Sequence, residues 1–266
     1  MSQDEETSRG AEEGGREGSG AGEGTAADPV LANWRAGRRY WEEAGADENG
    51  MLGGVPAWEG FGSISRVDLQ GSRTFLARLG IGARKGRKAV RNALEGGAGI
   101  GRVTEGLLLG LAENVDIVEP VSKFTDKIRG KPGVGTIHNI GLEEWNPTAT
   151  AGEGAAAGGA VGTYDLIWTQ WCLGHLADGQ LVEYLRRCAT ALVPGSGVAV
   201  VKENLNSGGE NVFDEEDKSV TRSDEMFLSL FEEAGLRVVR SELQRGLPET
   251  PTRRLMPVKM YALKPK

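Results

Sequence analysis

Short apolar runs alternate with segments of helical periodicity through the middle of the chain. Four such runs predict buried strands: one that ends at Leu94, and those at 115–119, 164–168 and 198–202. Apolar residues at helical spacing over 102–111 and 181–192 predict a helix in each segment. This alternation of strand and helix predicts a doubly wound α/β sheet.

Two segments lack any such pattern. Residues 1–30 hold eight acids and two arginines, have no aromatic residue, and are rich in Gly, Glu, Ser and Ala. Such a segment cannot bury enough apolar surface to offset its ordering entropy, so we expect a disordered acidic tail. Residues 148–162 are almost all Ala, Gly and Thr and predict a flexible surface insertion. The rest, residues 31–266, is expected to be one folded domain.

Composition narrows the function classes. The net charge is −7, and the tail accounts for −6 of it, so the folded part is near neutral and predicts no nucleic-acid surface. Two cysteines, Cys172 and Cys188, cannot form a disulfide framework and lack the spacing of metal ligands. With neither a membrane-spanning run nor a secretory signal, we expect a soluble protein of the cytoplasm, the nucleus or both. The basic run at 84–88 is a solvated loop or, alternatively, a nuclear-import patch.

A glycine-rich turn follows the first predicted strand. Glu95 leads the alternate glycines Gly97, Gly99 and Gly101, and Arg102 comes next. Glycines permit a tight turn and let a ligand approach main-chain N–H groups. The leading carboxylate suits a cofactor that carries positive charge, such as S-adenosylmethionine. Arg102 stands where a dinucleotide fingerprint has its third glycine, which argues against a nicotinamide cofactor. A purely structural loop is the alternative.

Polar residues follow the later predicted strands. Glu119 comes about twenty residues after the glycines, where such folds place a carboxylate on ribose hydroxyls. Gln170, Trp171 and His175 follow the strand at 164–168, and Asn204 follows the strand at 198–202. Ligands of open parallel sheets lie beyond the carboxyl ends of the strands. The alternatives are a solvated Glu, a structural His, a packed Trp and a turn-capping Asn.

Longer stretches resemble a known family. They are Tyr40-Trp41, Gly50-Met51-Leu52-Gly53-Gly54, residues 97–102, residues 167–176, Lys202-Glu203-Asn204 and residues 217–222. Together they resemble the eukaryotic α-N-terminal protein methyltransferases, which act on proteins that begin with Xaa-Pro-Lys or Xaa-Pro-Arg after Met removal. The resemblance runs from about Tyr40 to Lys264. The Gly-Met-Leu-Gly-Gly and Gln-Trp-x-x-Gly-His-Leu stretches are specific to this family, whereas the glycine turn is common to most methyltransferases.

The resemblance implies a fold and a cofactor. The fold is a Rossmann-like class I methyltransferase domain over residues 31–266, with a mostly parallel seven-stranded sheet, helices on both faces and an N-terminal helical extension. The cofactor is S-adenosylmethionine. The positions that match cofactor contacts are Gly97, Gly99, Gly101, Arg102, Glu119, Pro120, Val121, Leu142, Glu143 and Gln170. Arg102 is expected to pair with the methionyl carboxylate.

The chain departs from the family pattern at several of these positions. Glu119 replaces Asp, Glu143 replaces Gln, and Pro120-Val121 replaces Ile-Thr. Gly96 stands where animal members carry Cys. The segment 251–257 diverges and lacks a Tyr near the peptide entrance.

The resemblance also implies a peptide channel and a proton acceptor. The positions that match the channel are Trp41, Leu52, Gly53, Trp171, His175, Asn204, Asp214, Asp217 and Ser219. Asp217, His175 and Asn204 are the implied catalytic residues, and no metal is implied. The implied partners are proteins with an Xaa-Pro-Lys or Xaa-Pro-Arg N-terminus, bound by a monomer. A methyltransferase for another amine or a small molecule, and an inactive module that binds N-termini, remain alternatives.

Overall fold

The computed structural model describes residues 28–83, 86–147 and 163–266. The strands of this part, in chain order, are β1 (Val90–Gly96), β2 (Ala112–Val118), β3 (Val134–His138), β4 (Leu166–Gln170), β5 (Val198–Asn204), β6 (Val212–Phe213), β7 (Val220–Thr221), β8 (Leu236–Leu243) and β9 (Val258–Pro265). The predicted insertion at 148–162, the predicted tail up to residue 27 and residues 84–85 of the basic run lie outside the described residues.

In the described ranges seven of these strands form one sheet, in the order β3-β2-β1-β4-β5-β9-β8. All run parallel except β9, which is antiparallel to both of its neighbours. The mostly parallel seven-stranded sheet expected from the sequence is confirmed. The strand order reverses between β1 and β4. From β1 the chain moves outward through β2 to β3 at one edge of the sheet, and it then returns to β4 on the other side of β1. That reversal opens a crevice at the carboxyl ends of β1 and β4.

Helices cover both faces of the sheet. In chain order they are α1 (Pro29–Glu43), α2 (Glu48–Met51), α3 (Ile64–Arg78), α4 (Arg102–Gly106), α5 (Ser122–Thr125), α6 (Asp178–Ala191) and α7 (Asp224–Glu233). Alternate residues of the central strands enter two separate apolar clusters, because successive strand side chains point to opposite faces. One cluster includes Phe75 and Leu76 of α3, and the other includes Leu181 and Leu185 of α6 and Phe231 of α7. Among the described residues no helix is both long and apolar enough to cross a bilayer.

The first helix begins earlier than the sequence suggested. The Asp28 side chain accepts a hydrogen bond from the Val30 amide at 2.8 Å, and Pro29 occupies the first helical position. Both are favourable at a helix N-terminus. Val30 is 2% exposed, so residues 28–30 belong to the folded domain and not to the predicted tail. The boundary placed at residue 30 was therefore too late.

The helix predicted over 102–111 is wrong in its length. Helix α4 ends at Gly106, and a short 3-10 turn, Leu108–Gly110, replaces its second half. Gly106 lies against α3: a Cβ there would be 2.5 Å from Leu69 Cδ1, and Arg73 donates a hydrogen bond to the Gly106 carbonyl. Because that carbonyl bonds to α3, the chain leaves the helical path although the apolar spacing continues.

Candidate active site

A pocket occupies the crevice at the carboxyl ends of β1 and β4, and helix α1 lies across it. Arg38 Nη2 of α1 donates to the Pro120 carbonyl at 3.2 Å, next to the end of β2. Lys123 Nζ donates to the Ala44 carbonyl at 2.7 Å, just past the C-terminus of α1, where a positive charge is favourable. These contacts hold α1 against the segment that follows β2, so the pocket is a space between the helix and the strand ends.

The glycine turn forms the floor of this pocket. Gly97 and Gly99 have φ values of +70° and +53°, a backbone region that glycine adopts without strain. A Cβ on Gly97 would lie 2.4 Å from Cys172 Sγ, and one on Gly99 would lie 2.7 Å from Met51 Sδ. Glycine is therefore required here both by backbone conformation and by close packing. The predicted turn is present, and Gly101 closes it by donating its amide to the Ala98 carbonyl at 2.9 Å.

A buried cluster of charges adjoins the turn. The Asp68 carboxylate of α3, fully buried, pairs with Arg102 Nη1 at 2.8 Å and with Lys202 Nζ at 2.5 Å. Gln170 Nε2 donates to both of its oxygens at 3.0 Å. Burial acts to raise the pKa of Asp68, but Lys202 and Arg102 outweigh it and hold the pKa below its ordinary value. Two cations and one anion leave one net positive charge, so the cluster favours an anionic ligand group beside Arg102.

Glu95 lies near the end of β1, in the wall of the same pocket. Thr104 Oγ1 donates to Glu95 Oε2 at 2.5 Å. Burial raises the pKa of Glu95 to about 8, while Thr104 and Arg102 act in the other direction. At neutral pH the carboxyl is therefore mostly protonated, and a cationic ligand group beside it would favour its ionised form.

Glu119 follows β2 and faces the pocket with its carboxylate fixed by the backbone. Its Oε2 accepts from the Gly99 amide and its Oε1 from the Val121 amide, each at 2.9 Å. Burial raises the pKa of Glu119, and the two amides oppose that rise. Each carboxylate oxygen can accept a second hydrogen bond. The residue therefore holds the glycine turn in place and can still accept from ligand hydroxyls.

Trp41 and His175 connect α1 with the loop after β4. Trp41 Nε1 donates to His175 Nε2 at 2.9 Å, so the neutral imidazole carries its proton on Nδ1. Burial lowers the pKa of His175, and the charge of Asp217 opposes this. His175 is therefore neutral at pH 7, with its Nε2 lone pair used by the indole.

An acidic turn joins β6 to β7 at one side of the pocket. Residues 214–217 are four acids, and Lys218, which lines the pocket, leaves the turn with a net charge of −3. The turn is internally bonded: Asp217 Oδ1 accepts from the Ser219 amide at 2.9 Å, and Asp214 Oδ1 accepts from the Glu216 amide at 2.7 Å. Burial, and then the charges of Glu216, Asp217 and Asp214, raise the pKa of Tyr40. The turn lies against α1 beside His175, since a Cβ on Gly37 of α1 would be 3.1 Å from the Asp217 carbonyl oxygen and 3.9 Å from His175 Nδ1.

The structure brings twelve of the residues proposed from the sequence into the pocket wall: Trp41, Gly97, Gly99, Arg102, Glu119, Pro120, Val121, Leu142, Glu143, Gln170, Trp171 and His175. The remaining proposed residues are not part of that wall. Gly101 lies at the start of α4, Leu52 and Gly53 follow α2, Asn204 ends β5, and Asp214, Asp217 and Ser219 lie between β6 and β7. Leu52 is buried at 8% exposure.

Sequence reasoning missed Asp68, Lys202 and Met51. Met51 and Lys202 stand in family stretches without an assigned role, yet Met51 packs on Gly99 and Lys202 pairs with Asp68. Asp68 stands four residues after Ile64 on the buried face of α3, and Lys202 ends an apolar strand run. A charge at a position that should be apolar is the signal that could have revealed both, because charges are rarely buried unless they are paired.

The donor set fits S-adenosylmethionine. Arg102, with the net positive charge of its cluster, suits a carboxylate, and Glu95 suits a cationic group. Glu119 suits ribose hydroxyls. Among the described residues the Trp171 indole N–H is buried and has no hydrogen-bond partner, so a ligand can accept from it. Each of these groups belongs to the pocket wall.

Known proteins resemble this chain over most of its length. The family model described as AdoMet dependent proline di-methyltransferase matches residues 32–264. "Alpha N-terminal protein methyltransferase 1" of Schizosaccharomyces pombe is 44% identical over 230 residues, 85% of this chain and 93% of that protein. "N-terminal Xaa-Pro-Lys N-methyltransferase 1" of Danio rerio is 38% identical over 215 residues, 79% of this chain and 87% of that protein.

Solved structures agree with the fold. A SAM-dependent methyltransferase from Leishmania major has a TM-score of 0.70 and 35% identity, covering 87% of this chain and 82% of that chain. Phosphoethanolamine N-methyltransferase 1 of Haemonchus contortus, solved with phosphoethanolamine and S-adenosylhomocysteine, has a TM-score of 0.61 and 14% identity, covering 91% of this chain and 50% of that chain. At that identity the second likeness concerns the fold alone.

Proposed function

The chain belongs to the AdoMet-dependent proline di-methyltransferase family, and we propose that it methylates the free α-amino group of proteins that begin with Xaa-Pro-Lys or Xaa-Pro-Arg. It is an S-adenosylmethionine-dependent protein N-terminal methyltransferase. Three points stay predictions from the sequence: that Arg is also accepted at the third position of the substrate, that the protein is a monomer, and that it resides in the cytoplasm, the nucleus or both.

One observation supports a basic N-terminal peptide more than any other. The acidic turn at 214–217 packs on α1: a Cβ on Gly37 would lie 3.1 Å from the Asp217 carbonyl oxygen and 3.9 Å from His175 Nδ1, and Trp41 of the same helix bonds to His175. A peptide whose terminal amine reaches the pocket beside His175 therefore has carboxylates within range of its third side chain. Asp214 and Asp217 are the acids we assign to that contact.

The acceptor amine needs only a weak base. An α-amino group has a pKa of about 7.7–8.0, against roughly 10.4 for lysine, so a sizeable fraction is already unprotonated near neutral pH. S-adenosylmethionine, when bound, supplies an electrophilic methyl group. The rate then depends mainly on how this chain's residues orient the amine toward that group. The acceptor pKa therefore favours an N-terminus over a lysine side chain.

We assign the proton acceptor to Asp217, with His175 as its neighbour. Asp217 Oδ1 is bonded to the Ser219 amide, so Oδ2 is the oxygen assigned to the amine proton. Because His175 Nε2 accepts from Trp41, His175 can act as a base only if that bond opens. In this arrangement His175 contributes by presenting Nδ1–H. Trp171 and Trp41 supply apolar walls for proline at the second position, and Asn204 is assigned to the terminal amine region.

The test uses the full-length protein with S-adenosylmethionine and two synthetic peptides that begin Xaa-Pro-Lys, one with a free N-terminus and one N-acetylated. We expect methylation of the free peptide on its α-nitrogen, located by fragmentation mass spectrometry. The acetylated peptide should not react, because an amide nitrogen has no available lone pair. Methylation of the acetylated peptide on its lysine would contradict the assignment.

A further inference from the structure

The loop after β4 is held in a conformation that it would not adopt unaided. Trp171 has φ = +54°, a left-handed conformation that is unfavourable for a bulky L-residue. Such residues persist where their surroundings determine the backbone, and they cluster at functional sites. The loop 171–176 carries both Trp171 and His175, so whatever fixes this backbone also fixes two walls of the pocket.

Glu203 holds the N–H side of the loop. It is the last residue but one of β5 and 7% exposed. Its Oε1 accepts from the amides of Cys172 and Leu173, each at 3.0 Å. The Trp171 amide beside them donates to the Lys202 carbonyl at 3.1 Å. Three successive amides of the loop are therefore bonded to the end of β5.

Arg222 holds the C=O side of the same loop. It follows β7 and is 1% exposed. Its Nη1 donates to the Leu173 carbonyl at 2.9 Å, and its Nη2 donates to the Leu176 carbonyl at 2.6 Å. Its Nε donates to Asp178 Oδ1 at 2.8 Å, at the first residue of α6. The guanidinium thus spans the short turn that carries His175.

The turn also packs directly on the hairpin that carries the acidic residues. A Cβ on Gly174 would lie 2.9 Å from the Val220 carbonyl oxygen and 3.1 Å from Ser219 Cβ. Because Arg222 follows β7 directly, it connects this hairpin with the loop 171–176. The positions of His175 and of the acidic turn are therefore set by one group of contacts.

We propose that Glu203 and Arg222 are positioning residues that together hold the loop 171–176 so that Trp171 and His175 face the acceptor peptide. This proposal rests on the proposed function for its kinetic consequence, but not for its structural one. Neither side chain lines the pocket, so both would act through the loop. Buried charges are in themselves weak evidence for stability. Five directed hydrogen bonds to one short loop and its flank indicate instead that the two residues supply geometry.

The charge of Glu203 is not what the loop requires. Burial raises the pKa of Glu203 to about 7, while the amides of Leu173 and Cys172 and the charge of Arg222 lower it. A neutral carboxyl or amide oxygen at the same place can still accept both N–H groups. Glu203→Gln should therefore preserve the loop, and Glu203→Ala should release it.

The experiment compares Glu203→Ala with Glu203→Gln and a matched control in the full-length protein. The control is Asp116→Ala, which removes a carboxylate of β2 that accepts from the Thr136 amide at 2.7 Å and from the Tyr164 hydroxyl at 2.8 Å, outside the pocket wall. Amide hydrogen exchange of residues 171–176, resolved by mass spectrometry, reports the loop in the absence of any substrate. Steady-state kinetics with a free Xaa-Pro-Lys peptide report its consequence.

In Glu203→Ala we expect exchange of the loop amides to rise about tenfold or more, since two amides lose their acceptor, and kcat to fall. Glu203→Gln should stay close to the wild type in both measurements. Asp116→Ala should lower the melting temperature without changing loop exchange or kcat. Unchanged loop exchange in Glu203→Ala would overturn the proposal, as would raised exchange with an unchanged kcat.

Arg222→Lys gives a second, milder variant if Glu203→Ala does not fold. A lysine keeps the charge but cannot bond to both the Leu173 and Leu176 carbonyls with fork geometry. We expect raised exchange of the loop 171–176 and a lower kcat, and protection equal to the wild type would count against the proposal. If the wild type methylates no N-terminal peptide, the proposed function fails, while the exchange measurement still decides whether Glu203 and Arg222 hold the loop.

Discussion

Arg102 offers a sharp test of how the cofactor is held. Its side chain is 9% exposed, pairs with Asp68 at 2.8 Å and lies 5.3 Å from the centre of the Trp171 ring. Arg102→Lys keeps the positive charge, so Asp68 remains paired and the buried cluster keeps its net charge. What the substitution removes is the planar fork that can bind a carboxylate through two N–H groups, together with its stacking on the indole.

The size of the effect follows from the hydrogen bonds that a lysine cannot make to a carboxylate. A hydrogen bond to a charged group contributes about 1.5–3 kcal/mol, and each 1.4 kcal/mol corresponds to roughly tenfold in Kd. We therefore expect the Kd for S-adenosylmethionine to rise about 10- to 100-fold. The side chain is almost fully buried, so screening by salt should reduce this effect little.

Isothermal titration calorimetry measures the change directly. Arg78→Lys is the control, since Arg78 lies on α3 and pairs with Glu242 away from the pocket. Its Kd should equal that of the wild type. If Arg102→Lys, with an unchanged melting temperature, binds the cofactor within about threefold of the wild type, far less than one such hydrogen bond predicts, then Arg102 is not the carboxylate partner.

Three further predictions concern the ends of the pocket and of the chain. Removing residues 1–27 should leave the melting temperature unchanged, whereas removing residues 1–30 should lower it by about 5 °C or more in a thermal scan, because a buried valine and a helix cap are removed. At pH 6.5 cofactor binding should release a proton from Glu95, because its pKa of about 8 falls when a cation binds beside it. Calorimetry in buffers of different ionisation enthalpy should show this release. Glu95→Gln should abolish it. Asp217→Asn should lower kcat, whereas Asp214→Asn should chiefly raise the KM for Lys-containing peptides. The rise should correspond to a loss of about 1 kcal/mol or less in binding free energy, and it should be smaller at high salt. The reverse pattern would contradict these assignments.

The order of strands and helices could be predicted because apolar periodicity is a local property. The runs at 115–119 and 198–202 correspond to β2 and β5, and the helical spacing over 181–192 corresponds to α6. Periodicity does not report what packs against an element. The helix predicted over 102–111 ends at Gly106 because α3 lies against it, a contact between residues far apart in the sequence.

The candidate site was predicted where it has a local motif and missed where it depends on packing. The glycine turn and the loop after β4 each lie within one short stretch. Asp68 belongs to no motif, and its role follows from meeting Lys202 across 134 residues of sequence. Glu203 was visible only as the neighbour of Asn204. Nothing local indicates that its carboxylate reaches two amides of the loop after β4.

The position of Asp68 has a consequence for engineering this enzyme. Helices α1 to α3 precede the sheet and carry Trp41, which we assign to the acceptor side, so residues 29–78 would be a natural unit to exchange when a new substrate is sought. Such a graft would also remove the carboxylate that pairs with two cations belonging to the sheet and its first crossover, Lys202 and Arg102. Leaving a buried charge without its partner costs about 3–5 kcal/mol, a large fraction of the stability of a typical domain. Any transplanted segment must therefore carry an acid at position 68, or Lys202 must be replaced along with it.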